Sequence, residues 1–368
     1  MPSNRDPAAS KPALRVHADP AFNAEPDPHA LDSPITPFAA FFVRNNGTVP
    51  DIRDDAAADW RLTIDGEVER PMSFTIDDLS SRFRTVDVTS VLECAGNSRF
   101  AFEPATDGVP WGHGAVACAQ WSGVRMRDLL EAAGVKPSAV YVAHESPDCV
   151  VGEPGNPALS RGLPLAKAMA DETLVAFAMN GAPLPMIHGY PIRVVAPGYP
   201  GSAWQKWLTR LWVRDREHDG ARMTGTDYRM PRRSYAPGEK VDTAEFDVMT
   251  DMPVKSLVTF PAEGFAARVG AAIEVRGFAW SGHTALARVD VSIDGGTTWA
   301  PASLEPVGEP FAWRRFTATV APRQPGAVEI MTRATDVSGC AQPLQPPWNP
   351  RGYCNNAVHR VRGLAMPA

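Results

Sequence analysis

Proline limits what this chain can build more than any other residue. Its 36 prolines are spread through 368 residues together with 29 glycines. A proline inside a helix removes a hydrogen bond and collides with the preceding turn. A chain interrupted this often is therefore expected to form short strands joined by turns rather than long helices. The combined proline and glycine share stays below the ~25–30% that marks low-complexity disorder. Hydrophobic residues make up 44% of the chain and charged residues 21%, so the prolines punctuate folded structure. At ~150 residues per domain the length predicts two domains, or three.

Charge and cysteine usage remove several classes of function. Lys and Arg number 36 against 42 Asp and Glu, a net charge of −6 with both signs mixed, which argues against an electrostatic nucleic-acid binder. The five cysteines, Cys94, Cys118, Cys149, Cys340 and Cys354, are odd in number and contain no CxxC pair. A zinc knuckle, an attached c-type haem and a full disulfide set are thereby disfavoured. The N-terminus lacks the apolar stretch of a secretory leader, and no run reaches the ~18 apolar residues of a membrane span. A soluble protein without a membrane span is expected, cytoplasmic by the absence of a leader and periplasmic if a leader has been removed.

Residues 1–35 are rich in Pro, Ala, Asp and Asn without periodicity and read as an extended arm, on the surface or partly disordered and without chemistry. Residues 36–235 mix strands and helices. Strand patterns cover 61–68, 86–94, 174–179 and 192–196, the last two separated by the hairpin dipeptide Asn180-Gly181. An amphipathic helix is predicted over 124–133, stopped by Gly134, and a shorter one over 163–170. A polar connector, 215–242, leads to a region of different grammar. In 236–368, strand-length runs at 273–280, 288–293, 313–320 and 328–336, with a turn at Asp294-Gly295-Gly296, suggest an immunoglobulin-like β-sandwich. The fold class is thus α+β: a strand-rich domain over 36–235 followed by the sandwich. One segment, 292–299, also fits a hairpin box known from propellers, but a propeller needs several copies and only one is present.

Chemistry concentrates at Glu93-Cys94-Ala95-Gly96-Asn97-Ser98-Arg99. An apolar strand delivers a cysteine to its end, and a glycine turn and an arginine follow at once. Loops held by rigid elements favour function, and a thiolate is a soft ligand for a transition metal. Taken alone, the same segment reads more readily as a core cysteine before a turn.

Further segments stand around it in order: 41–46 (FFVRNN), 111–115 (WGHGA), 119–124 (AQWSGV), 179–185 (MNGAPLP), 188–195 (HGYPIRVV), 201–207 ending in Lys206-Trp207, 290–299 (DVSIDGGTTW) and 348–352 (WNPRG). In the order and spacing of these motifs, over roughly residues 36–362, the chain resembles the sulfite oxidase family of molybdenum enzymes. The resemblance implies that Cys94 is the one protein thiolate on the molybdenum of a single-pyranopterin cofactor. Phe42, Val43, Arg44, Asn45, Asn46, Asp148, His188, Arg193, Trp204, Gln205 and Lys206 would hold the pterin and its phosphate. Buried cations and donors suit a phosphorylated cofactor. Arg44, Arg99, Arg351 and Trp111 would surround an oxyanion substrate, because converging guanidiniums repel one another unless an anion neutralises them.

Three positions depart from the family pattern. Phe177 stands where the family has its active-site tyrosine, so a phenol hydroxyl is missing at that catalytic position. Ser98 stands where the family usually has an arginine beside Arg99, and Asn46 where it has a histidine. The resemblance implies oxidation of sulfite to sulfate by a homodimer, with electrons passed to an external acceptor such as a cytochrome and no haem in this chain. The alternatives are the same cofactor used on nitrate or a sulfoxide, and a non-catalytic β-sandwich binding protein.

Overall fold

A computed structural model of the chain describes residues 11–17, 20–52 and 58–367; the first ten residues of the expected arm lie outside the described residues. Strands dominate, as the proline content demands. Among the described residues the α-helices are Ile76–Arg82, Met126–Ala133 and Leu165–Ala168, the longest spanning 8 residues.

The amphipathic helix appears as expected on its C-terminal side. Met126–Ala133 buries Met126, Leu129, Leu130 and Ala133 and ends at Gly134, whose φ of 73° closes the last turn. Its start lies later than the periodicity suggests, because Val124 and Arg125 still belong to the strand Val116–Arg125. The short helix is trimmed in the same way: Gly162–Pro164 is a strand, so only Leu165–Ala168 is helical.

Two five-stranded sheets form the first half. One runs Ala182–Pro183, Leu174–Met179, Val116–Arg125, Thr85–Glu93, with Arg193–Val195 also paired to Leu174–Met179. Asn180 and Gly181, at φ 53° and 76°, make the tight turn between Leu174–Met179 and Ala182–Pro183. The other runs Met72–Phe74, Leu62–Gly66, Arg210–Arg214, Tyr141–Glu145, Gly162–Pro164. Arg210–Arg214 is parallel to Leu62–Gly66 and antiparallel to Tyr141–Glu145, so a late strand is locked between two earlier ones. The shared core includes Leu62, Phe74, Trp111, Trp121, Leu130, Val175 and Leu211.

The second half is two facing sheets. Lys255–Phe260, Ile273–Trp280, Arg314–Val320 and Ser303–Leu304 form one; Phe265–Arg268, His359–Met366, Gly326–Asp336, Leu286–Ser292 and Ala300–Pro301 form the other. Val258, Val275 and Phe316 from the first meet Val289, Ile330 and Val361 from the second. The sequence reading missed Lys255–Phe260, Phe265–Arg268 and His359–Met366. The halves share a further apolar cluster in which Val91, Val116 and Cys118 pack with Leu257, Phe278, Trp280 and Trp313.

One expectation is corrected. The described part of residues 1–35 is not a surface arm. Leu14, Ala21, Asn23, Ala24, Glu25 and Leu31 are buried, and so is Lys11, whose Nζ donates to the Phe41 carbonyl at 2.7 Å. Apolar periodicity could not reveal this, because the segment is held by polar anchors rather than by an amphipathic face.

Candidate active site

The antiparallel pair Thr85–Glu93 and Val116–Arg125 aims Cys94. Their register runs from Thr85 opposite Val124 to Glu93 opposite Val116. The Cys94 amide continues it by donating to the Ala115 carbonyl at 2.9 Å. The chain then turns: the Asn97 amide donates to the Cys94 carbonyl at 2.9 Å, and the Asn97 side-chain carbonyl accepts from the Ala115 amide at 3.2 Å. Cys94 is thus a buried thiol fixed on both sides by backbone bonds.

It lines a pocket shared with Phe42, Arg44, Asn46, Asp148, His188, Arg193, Trp204, Gln205 and Lys206. The structure therefore gathers most of the expected cofactor residues around one thiol. Two of them stand behind the wall. Val43 pairs through its backbone with Ala24, which fixes the neighbouring Arg44. Asn45 accepts from Lys206 Nζ and donates through Nδ2 to the Phe22 carbonyl at 2.7 Å. Arg44 in turn donates to Asn46 Oδ1 at 2.7 Å and to Asn23 Oδ1 at 3.2 Å.

Positive charge exceeds negative charge here. Arg193 is fully enclosed, donating to the carbonyls of His188 and Trp204 at 2.9 Å each, with no carboxylate among its partners. Burial pulls its guanidinium down to about 9. Burial, then the nearby Arg193, hold Lys206 well below the usual lysine value, and only Asp148 pulls the other way. Asp148 itself is raised by burial against its hydrogen bond from Ser146. His188 is held far below its ordinary value by burial, then by Lys11, Lys206 and Arg193, and its Nε2 finds no hydrogen-bond partner. A lysine and a histidine depressed by burial and neighbouring cations, with an orphaned buried ring nitrogen, suit a site built for a polyanion.

The expected substrate residues are placed differently. Arg99 packs its guanidinium over Gly96 and Gly108, donates to the Arg351 carbonyl at 3.1 Å and the Val109 carbonyl at 2.8 Å, and lies over the Tyr353 ring. Arg351 is ion-paired with Asp227. Trp111 is wholly buried with its edge contacts to Phe42 and His17, which puts it behind the cavity wall. Phe177 is half-buried against the main core and is not among the residues lining the cavity. The register jumps from Ser122 opposite Ala178 to Gly123 opposite Ala176, leaving Phe177 as the extra residue of a bulge.

Sequence reasoning missed several contributors. Tyr228, from the segment read as a connector, lines the cavity and donates its hydroxyl to Asn46 Oδ1 at 3.0 Å. Glu25 accepts from the Gly112 and Gly114 amides at 2.6 and 2.8 Å and so holds the turn after Trp111. No motif signals such residues, since each acts through partners far away in sequence.

A soft thiol in the same cavity as an excess of buried cations suits a phosphorylated organic cofactor that carries a transition metal. This fold and site define a metallocofactor oxidoreductase. The oxidoreductase molybdopterin-binding domain family matches residues 46–222, and the Mo-co oxidoreductase dimerisation domain family matches 247–363. The mitochondrial sulfite oxidase of Rattus norvegicus is 37% identical over 387 aligned positions, covering 100% of this chain and 68% of the rat protein. Sulfite oxidase of Gallus gallus is 35% identical, covering 98% of this chain and 80% of its own. The solved sulfane dehydrogenase SoxCD from Paracoccus pantotrophus superposes with a TM-score of 0.76 at 30% identity, covering 92% of this chain and 83% of that one. The chain belongs to the sulfite oxidase family of molybdenum oxidoreductases.

Proposed function

We propose that this chain oxidises sulfite to sulfate. Sulfite gains the oxygen of one water and releases two protons and two electrons, which leave for an external acceptor, a cytochrome in this reading. The observation that carries the proposal is Cys94 in one cavity with Arg44, His188, Arg193 and Lys206. When bound, a molybdenum pyranopterin supplies the two-electron redox chemistry. Cys94 would hold the metal, while Arg193, Lys206, His188 and Arg44 would hold the pterin phosphate and Asn46, Asp148 and Gln205 orient the ring system, with Asn45 fixing Lys206 from behind the wall. Arg99 and Arg351 would reach the oxyanion only by giving up the backbone carbonyls and the Asp227 carboxylate that hold them here. Residues 36–235, joined by the packed segment before them, are the cofactor domain in this reading. Residues 236–368 are an immunoglobulin-like sandwich that pairs two copies.

Metal and pterin analysis of the purified protein tests the reading together with Cys94→Ser. A hydroxyl is a harder and far less acidic ligand than a thiol, so the variant should lose molybdenum and turnover while its thermal midpoint stays near wild type. Wild-type-like sulfite oxidation in Cys94→Ser would overturn the assignment. A second reading, a sulfane-sulfur substrate, is favoured by the likeness to the sulfane dehydrogenase. Steady-state assays with sulfite, a sulfane compound and nitrate, each with a suitable redox partner, distinguish the substrates.

A further inference from the structure

One amine from the second half of the chain ties together both sides of the Cys94 turn. Lys255 opens the strand Lys255–Phe260. Its Nζ lies 3.1 Å from Glu93 Oε1, 3.1 Å from Ser98 Oγ and 3.4 Å from the Asn97 carbonyl. Glu93 precedes Cys94 and Asn97 and Ser98 follow it, so the thiol sits inside a loop closed by this one group. The ion pair is deeply buried, with side-chain exposures of 5% for Lys255 and 2% for Glu93. The other Glu93 oxygen accepts from Trp280 Nε1 at 2.7 Å, again from the second half.

A buried carboxylate needs a cation, and Lys255 is the one that meets Glu93 here. The family pattern places an arginine at position 98, where this chain has a serine. Ser98 is buried, in the left-handed region at φ 69°, and its hydroxyl bonds both Lys255 Nζ and His113 Nδ1. The two features complement each other: the family's arginine is absent beside Cys94, and a buried charge arrives beside the Ser98 hydroxyl from residue 255. We infer that Lys255 is a positioning residue for Cys94, supplying from the second half of the chain the buried cation that Ser98 does not. The inference rests on the reading of Cys94 as the metal ligand. It makes the second half part of the metal-binding apparatus and not only a pairing module.

The test uses the full-length protein, loaded with its cofactor, as wild type and as Lys255→Met, Lys255→Arg, Ser98→Arg and Ser98→Arg/Lys255→Met. Molybdenum retained after dialysis, the visible absorption of the metal-bound thiolate, and the thermal midpoint are measured on each. Lys255→Met should lose molybdenum about 10–100-fold faster, as removal of a partner that orients a ligand does, with an altered absorption band. Lys255→Arg should retain the wild-type band. Ser98→Arg alone crowds two cations and should lower the midpoint. The double variant should recover both midpoint and retention. An unchanged band and retention in Lys255→Met, or a double variant no better than Lys255→Met, would overturn the inference. Should Lys255→Met fail to fold, Glu93→Gln/Lys255→Met removes both charges; an altered band in it supports the role, and a wild-type band overturns it. A wild-type protein that holds no molybdenum sinks the parent reading instead, and the midpoint coupling between positions 98 and 255 then decides the pairing on its own.

Discussion

Arg99 and Arg351 show how a side chain that is easy to name in a sequence acquires partners that are not. Both stand in recognisable motifs, yet Arg99 donates to the Arg351 and Val109 carbonyls, and Arg351 is paired with Asp227, a residue in no motif at all. Cys94, His188, Arg193 and Lys206, which the structure gathers in one pocket, each sit in a short contiguous motif and were named through the resemblance. Asn23, Glu25, Tyr228 and Lys255 were not, because single polar residues act here through tertiary contacts. Phe177 marks the limit of reasoning by position, since a bulge decides where its ring goes. In the proposed reaction Arg351 would exchange Asp227 for the substrate oxyanion. Removing one charge-assisted contact costs roughly 1.5–3 kcal/mol, about ten- to a hundredfold in kcat/KM. Arg351→Met should therefore lower kcat/KM for sulfite by that factor, and Arg351→Lys should recover only part, because a point charge lacks the guanidinium fork. Molybdenum content should remain at the wild-type level in both. Values of kcat/KM within about twofold of wild type in Arg351→Met would remove this arginine from the substrate site.

Among the elements, several with local signals were found in the sequence, while those defined by long-range pairing were not. Leu174–Met179 and Ile273–Trp280 were read with the bounds they have, since turn residues delimit each. Val116–Arg125 was missed because it is nearly wholly buried and passes without a break into a helix, so neither alternation nor a turn announces it. His359–Met366 was missed because its place is set by pairing parallel to Phe265–Arg268 and antiparallel to Gly326–Asp336. The helix Ile76–Arg82 was not read from the sequence either, although its cap is local. The Thr75 hydroxyl accepts from the Asp78 amide at 2.9 Å while the Asp78 carboxylate accepts from the Thr75 amide at 2.9 Å, a reciprocal cap. Thr75→Ala should cost about 1 kcal/mol, a fall of roughly 1–2 °C in thermal midpoint for a cooperative unit of this size. Thr75→Ser should cost little, since it keeps the oxygen; equal losses in the two variants would mean the cap is not the cause.

Across the whole molecule the two halves share structure that couples their unfolding. Val91, Val116 and Cys118 pack with Leu257, Phe278 and Trp313 across the junction, and the buried Glu93–Lys255 pair spans it. Buried histidines lie in both halves. Burial holds His144 down to about 3, His218 to about 4 and His359 to about 3. The hydrogen bonds agree for two of them: His218 Nδ1 faces an Arg214 donor at 2.7 Å, and His359 Nδ1 accepts from the Val258 amide at 3.0 Å. Each ring is thus neutral when folded, whereas in the unfolded chain it titrates near 6.5. Below about pH 6.5 the unfolded state binds more protons than the folded state, so the stability these rings contribute is complete above that value. It is lost progressively as pH falls toward about 3–4. Calorimetric scans from about pH 7.5 to about pH 4.5 should show one transition whose midpoint falls with pH. Replacing His359 with Gln, which keeps an acceptor but cannot take up the proton, should flatten the fall by about one proton's share. Two resolved transitions would contradict the shared core, and a midpoint that does not move over this range would show that the histidines are not held neutral.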